Sequence, residues 1–228
     1  MSRLAESVAE CPANGAAQTP GAKTRRIYDC LAGIYPISTR LFHSRAHLCA
    51  LEASGIRDGM KVLEVATGSG EMFRRLVRAN RGGATVGMDL SPNMAAHTLR
   101  AARGEFPAAR TQCQAADARQ MPFRDEVFDA LFCCYMLELL SVDDITAALL
   151  EFRRVLRTGG NLTLVFIGEN APVFNAFYKI AGRASPALWG RQVERRMPGL
   201  IESARFEIIE ERRVRQVWYP SRVLVARK

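Results

Sequence analysis

The chain has 228 residues, 48% of them hydrophobic, and a formal net charge of +9, so it is long enough for one self-sufficient core and short enough to be one domain. No stretch reaches the roughly 20 apolar residues of a membrane span; the best candidate, Ala130 to Leu140, is short and carries Glu138. The N-terminus has no apolar signal core, and a cytoplasmic protein is expected.

In chain order, residues 1–22 are rich in Ala, Gly, Pro, Ser and Thr without periodicity and read as a disordered tail. Two helices, broken near Pro36, are expected between Arg26 and about Ser54, making residues 23–55 an N-terminal helical lid. From Met60 onward, strand and helix alternate as in a parallel sheet with crossovers. Strands are expected at 61–66, 84–89, 111–116, 127–134 and 161–168, and helices at 70–80, 92–104 and 143–156. Residues 56–170 thus form a core unit. An insert at 171–205 follows, broken by Pro186 and carrying Phe174, Phe177, Tyr178 and Trp189. A strand pair at 206–228, turning at Tyr219-Pro220-Ser221, ends the chain.

The six cysteines (11, 30, 49, 113, 133 and 134) lack metal-type spacing. Cys133 and Cys134 are adjacent on a strand and should face opposite ways. Buried, reduced thiols are expected. His43 and His47 are four apart and would share a helix face, but no third ligand accompanies them. No metal site is expected.

The chemistry concentrates in Val62-Leu63-Glu64-Val65-Ala66-Thr67-Gly68-Ser69-Gly70-Glu71. An apolar strand enters a small-residue turn, a helix follows, and a second strand ends in Asp89. This is the plan of a nucleotide-type cofactor site, with glycines admitting the ligand to the backbone and a strand-tip acid for the ribose hydroxyls. A dinucleotide site needs a third glycine for its pyrophosphate. Here the first position of that pattern is Ala66 and the third falls on Phe73 or Arg74. Glu64 would repel a pyrophosphate but suits a cation. Ribose, adenine and positive charge together describe S-adenosylmethionine.

The run Val62 to Glu71 resembles the first motif of class I S-adenosylmethionine-dependent methyltransferases. Gly87 to Met94 resembles their second, and Ala116-Asp117-Ala118 with Met121-Pro122-Phe123 their third. Phe128-Asp129-Ala130-Leu131 through Leu137 resembles the fourth, and Leu156 to Leu162 the turn before strand five. The branch most similar is the UbiE/COQ5-like (methyltransferase type 11) group. The resemblance implies an α/β, Rossmann-like three-layer sandwich with a mostly parallel seven-stranded sheet and a C-terminal antiparallel strand. Residues 23–228 would then be a single methyltransferase domain.

Within that resemblance, the cofactor is expected to meet Tyr28, Glu64, Ala66, Thr67, Gly68, Gly70, Asp89, Leu90, Met94, Asp117, Ala118, Cys134 and Tyr135. Asp89 would take the ribose, Asp117 the adenine amine, the Ala118 N–H a ring nitrogen, and Glu64 the methionyl ammonium or the turn backbone. Ser91 could cap the helix after Asp89. Tyr135 could offer its ring to the sulfonium or fill the core edge. Tyr135 and Glu138 are the catalytic candidates, with His43 and His47 as further possible bases. Tyr35, His43, His47, Phe177 and Tyr178 are the expected acceptor contacts. Tyr35-Pro36 departs from the family's second Tyr-Asp pair, a difference that bears on quinone chemistry.

The charge is unevenly placed: net +4 over residues 23–45 and +7 over 179–228, against −1 for each of 1–22 and 46–178. Basic flanks suit reversible contact with an anionic membrane surface, or simply a solvated face. The expected acceptor is lipid-like, a quinol or an aminophospholipid headgroup; a soluble small metabolite is the alternative. Cys133-Cys134-Tyr135-Met136 is not the Pro-Pro-aromatic motif of base-amino methylation, and no aromatic-basic platform is present, so nucleic acid ranks last. A cofactor-binding protein without transfer activity is a further alternative.

Overall fold

In the computed structural model, residues 44–168, 193–216 and 220–228 are described. Five apolar runs become the strands β1 (Lys61–Val65), β2 (Ala84–Asp89), β3 (Arg110–Ala115), β4 (Phe128–Cys134) and β5 (Leu156–Ile167). These five pair in parallel. β6 (Glu207–Val214) and β7 (Ser221–Arg227) complete a seven-stranded sheet in the order β3-β2-β1-β4-β5-β7-β6. β7 runs antiparallel to both β5 and β6, so it is the strand of reversed direction. Near-continuous apolar sequence in β1, β2 and β4 fits strands covered on both faces.

Helices α1 (Ser44–Ala53), α2 (Glu71–Ala79) and α3 (Pro92–Glu105) cover one face, while α4 (Val142–Val155) and α5 (Met197–Ser203) cover the other. Strand alternation divides the core accordingly. Leu63, Val65, Leu131 and Cys133 pack with Phe152 and Met197 on the α4 side. Val62, Ala130 and Phe132 pack with Met72 and Leu76 of α2 on the other. Cys133 and Cys134 do face opposite ways: Cys133 belongs to the α4-side core, and Cys134 packs with the clusters beneath α1 and α2.

Two serines start helices as their sequence suggests. Ser91 Oγ accepts from Met94 N (3.2 Å) at α3, with Pro92 in the first turn, and Ser141 Oγ accepts from Asp144 N (3.1 Å) at α4. Such caps are each worth about 1 kcal/mol.

One expected turn is already strand. Leu156–Leu162 was expected to precede β5, but β5 begins at Leu156, opposite Phe128, and the ladder shifts register between Phe128 and Ala130. The chain's last residue explains the difference. Gly159 N donates to Lys228 O and Lys228 N to Gly160 O, both at 3.0 Å, and Gly159 takes φ 76°. The glycines bend the strand without ending it.

The 1–22 tail, the first lid helix with Tyr28 and Tyr35, His43 beyond the break at Pro36, and the insert residues Phe174, Phe177, Tyr178, Pro186 and Trp189 lie outside the described residues. Among the described residues, no helix is long and apolar enough to cross a membrane.

Candidate active site

Strand order reverses direction between β1 and β4: β2 and β3 build outward from one side, β5 and β7 from the other. Parallel α/β sheets bind ligands at the carboxyl ends of their strands at this switch point. The turn after β1 lies there. Ala66, Gly68 and Gly70 all have positive φ (60°, 49° and 73°). Ala66 carries a Cβ in that region, a strain of about 1–2 kcal/mol. Across the switch point, Tyr135, just past the tip of β4, is also left-handed at φ 55°. Strained positions thus flank the crevice on both sides.

The turn is closed by neighbouring elements. Thr67 N donates to Met88 O (3.2 Å), Gly70 N to Thr67 O (2.8 Å), and Thr98 Oγ1 to Gly68 O (3.3 Å). A Cβ on Gly70 would stand 2.8 Å from Thr98 Oγ1 and 3.2 Å from Thr98 Cα, so α3 itself requires that glycine. Gly68 differs: a Cβ there meets no atom of the described residues within 4 Å, so among them that side of the turn is open.

Asp89, at the tip of β2, accepts from Gly68 N at Oδ2 (2.8 Å) and from Ser91 N at Oδ1 (2.9 Å). Its carboxylate is therefore fixed across the mouth of the glycine turn. Beneath it, Glu64 is 2% exposed and its Oε2 has no hydrogen-bond partner. Burial, and then the negative charge of Asp89, raise the Glu64 pKa well above the ordinary carboxyl value. A buried acid with an open oxygen beside a second acid is a site for a cation.

After β3, Asp117 and Ala118 lie in a tight loop closed by an isolated bridge between Asp117 and Gln120. Burial tends to raise the Asp117 pKa, but hydrogen bonds and charge from Arg119 prevail and hold it below its ordinary value. Leu90 is 38% exposed and Met94 is buried at 2%. Together, Glu64, Ala66, Thr67, Gly68, Gly70, Asp89, Leu90, Asp117, Ala118, Cys134 and Tyr135 occupy the tips of four neighbouring strands and the turns that follow them.

Tyr135 reaches away from that group. Its hydroxyl lies 2.7 Å from Ser221 Oγ and accepts from Gln216 Nε2 (3.0 Å), and its ring packs 6.0 Å from that of buried His47 on α1. Glu138 lies in a 3-10 turn, Leu137–Leu139, just after β4. Oε1 accepts from Ile167 N at the end of β5 (2.7 Å), while Oε2 is buried without a partner. Burial pushes its pKa up to about 7, against the lowering effect of backbone hydrogen bonds.

Sequence reasoning missed Thr98, Gln216, Ser221 and Arg119, which hold these groups in place. Only Arg119 carried a local signal, lying two residues after a turn-forming Asp.

Residues 62–160 match the methyltransferase-domain family. The chain is 28% identical over 162 residues to the ubiquinone/menaquinone biosynthesis C-methyltransferase UbiE of Desulfotalea psychrophila, covering 69% of this chain and 63% of that protein. It is 28% identical over 159 residues to the 2-phytyl-1,4-naphtoquinone methyltransferase of Trichormus variabilis, covering 67% and 69%. Its fold is similar to that in a solved complex of the Haloferax volcanii Trm112 methyltransferase activator with a putative methyltransferase. There the TM-score is 0.75 at 17% identity, covering 90% of this chain and 96% of that one.

Glycine turn, strand-tip acid, sheet order and the methyltransferase-domain match over residues 62–160 support a class I S-adenosylmethionine-dependent methyltransferase. The UbiE proteins are among the relatives it is similar to, and the cofactor these findings support is S-adenosylmethionine. The site fits that cofactor, because it sets a glycine whose Cβ direction is clear of the described residues near a buried acid, one oxygen of which has no partner among them.

Proposed function

We propose that the chain transfers a methyl group from S-adenosylmethionine to a quinol-type, lipid-like acceptor at an anionic membrane surface. The observation that carries the reading is the cofactor crevice in a chain whose named relatives act in quinone biosynthesis or on a phytyl-naphthoquinone. When bound, the cofactor supplies a methyl group on a cationic sulfur. The chain's task is to orient, to exclude water and to manage a proton, and orientation alone can lower a barrier by roughly 7–11 kcal/mol.

Asp89, held at the tip of β2 by Gly68 N and Ser91 N, clasps the ribose hydroxyls. Glu64 accepts from the methionyl ammonium, and in doing so becomes the carboxylate its burial otherwise disfavours. Asp117 and the Ala118 N–H read the adenine edge, while Leu90 and Met94 pack beside it. Cys134 and the backbone of Tyr135 line the crevice below the sulfur, and Tyr28 closes over the cofactor. A quinol becomes a carbon nucleophile by losing a hydroxyl proton, and Glu138 is the acceptor for it, with a proton affinity that burial raises to about 7 and one oxygen without a partner among the described residues. Tyr35, His43, His47, Phe177 and Tyr178 contact the acceptor, and Tyr135 supports His47 from below.

Basic residues near an anionic leaflet contribute about 1 kcal/mol each. The C-terminal flank is partly neutralised, because Arg212 pairs with Glu210 and Arg222 with Glu194, and Arg213, although its side chain is 74% exposed, also lies 3.8 Å from Glu194. Membrane contact is therefore weak and reversible. The test is incubation with labelled methyl donor and two acceptor pools, a demethylated quinol in anionic vesicles and a water-soluble metabolite extract. Label in the quinol ring supports the reading. Label confined to the soluble pool overturns it.

A further inference from the structure

The Asp117 carboxylate makes four hydrogen bonds among the described residues, and all come from Arg119. The Arg119 backbone N donates to Oδ1 at 2.9 Å; its Nε reaches Oδ1 at 3.0 Å and Oδ2 at 3.2 Å; its Nη2 reaches Oδ2 at 2.7 Å. The same guanidinium extends across to α4, where Nη1 donates to Asp144 Oδ1 at 2.7 Å. Asp144 is fixed in turn, because Ser141 Oγ donates to its Oδ2 at 2.7 Å while capping the helix. A continuous chain, Ser141–Asp144–Arg119–Asp117, ties the loop after β3 to the first turn of α4.

We infer that Arg119 is a positioning residue for base recognition: its fork fixes Asp117 with one lone pair aimed outward, and so selects a 6-amino purine over a 6-oxo purine. The inference rests on the reading that places Asp117 at the adenine edge. The count of acceptor sites supports it. A carboxylate has about four; Arg119 brings three donor hydrogens to it, from N, from Nη2 and from an Nε–H shared between Oδ1 at 3.0 Å and Oδ2 at 3.2 Å, so three hydrogens occupy four sites and one remains. A planar fork fixes both oxygens at once, which a single-point cation does not. Without the guanidinium, Asp117 and Asp144 face each other as like charges, and Asp117 is free to rotate away. The remaining lone pair accepts from an exocyclic amine and repels a carbonyl oxygen. Sites built to bond a donor reject an analogue lacking it far better than apolar pockets reject a methylene.

The experiment is calorimetry of the full chain with S-adenosylhomocysteine and with S-inosylhomocysteine, whose base carries a 6-carbonyl. Arg119→Ala is expected to weaken the adenosyl ligand about tenfold and the inosyl ligand less than about twofold, collapsing the preference. Arg119→Lys keeps the charge without the fork and is expected to restore only part of the preference, which also serves if Arg119→Ala folds poorly. A loss equal for both ligands, full rescue by Lys, or an unchanged preference in Arg119→Ala overturns the inference. Asp117→Asn separates the layers. If it abolishes the preference while Arg119→Ala does not, the role of Arg119 fails and the placement of Asp117 stands. If Asp117→Asn leaves the preference intact, the placement of Asp117 fails as well.

Discussion

Glu64 lies buried beneath Asp89, and the charge of Asp89 adds to the burial that raises the Glu64 pKa. Two acids so arranged cannot both be ionised at low cost unless a cation joins them. With Glu64 in its proposed role toward the methionyl ammonium, that coupling makes cofactor binding a proton-linked event.

The sign follows directly. The raised pKa leaves Glu64 holding its proton in the free protein at pH values where an ordinary carboxyl is ionised, and a cationic ammonium favours the ionised form. Binding of S-adenosylhomocysteine is therefore expected to release up to about one proton, and affinity to rise with pH until Glu64 ionises without the ligand. Calorimetry in buffers of different ionisation enthalpy measures it. Glu64→Gln is expected to abolish the release.

Two glycines of one turn should respond in opposite currencies. Gly70→Ala places a Cβ against Thr98 at positive φ and is expected to lower stability by about 3 kcal/mol. Gly68→Ala meets no atom of the described residues within 4 Å. It is expected to cost only about 1 kcal/mol of stability but about tenfold or more in S-adenosylhomocysteine affinity. Denaturant melts and calorimetry on both variants separate the two effects.

Much of this turn was legible in the sequence, because apolar runs, glycines and a strand-tip acid are local signals. The β1 to β4 strands fall within a residue or so of expectation for the same reason. The start of β5 was not legible, since it depends on Lys228 pairing with Gly159 and Gly160 from the far end of the chain. Nor was the direction of Tyr135, which turns on a left-handed φ and on partners 81 and 86 residues away. Arg119 fell in the same gap, because its second partner, Asp144, is 25 residues distant. The expected acceptor contacts other than His47 lie outside the described residues, so only the cofactor half of the site can be compared closely with its sequence.

Glu138 predicts a pH dependence of stability. Its folded pKa of about 7 lies above the ordinary 4.5, so between those values the folded chain binds more protons than the unfolded one. Stability from this group is full below about pH 4.5 and is lost as pH rises to about 7, by about 3 kcal/mol. Glu138→Gln is expected to remove that fall, so the variant gains on the wild type as pH rises. Denaturation midpoints at pH 5 and about pH 8 for both proteins check it. If Glu138 is also the proton acceptor, the same substitution lowers turnover while leaving S-adenosylhomocysteine affinity unchanged.

Membrane contact through basic flanks predicts salt sensitivity. Co-sedimentation with anionic vesicles is expected at low ionic strength and should be lost by about 0.5 M salt, where the screening length is a few ångströms. Equal sedimentation with neutral vesicles would point to apolar and not electrostatic contact.

The most direct test of the cofactor crevice is S-adenosylhomocysteine calorimetry on wild type and Asp89→Ala side by side. The geometry predicts saturable binding by the wild type and a loss of about 100-fold in the variant, the worth of two hydroxyl bonds to a fixed carboxylate. Absence of binding to the wild type, or equal affinity in Asp89→Ala, would contradict it.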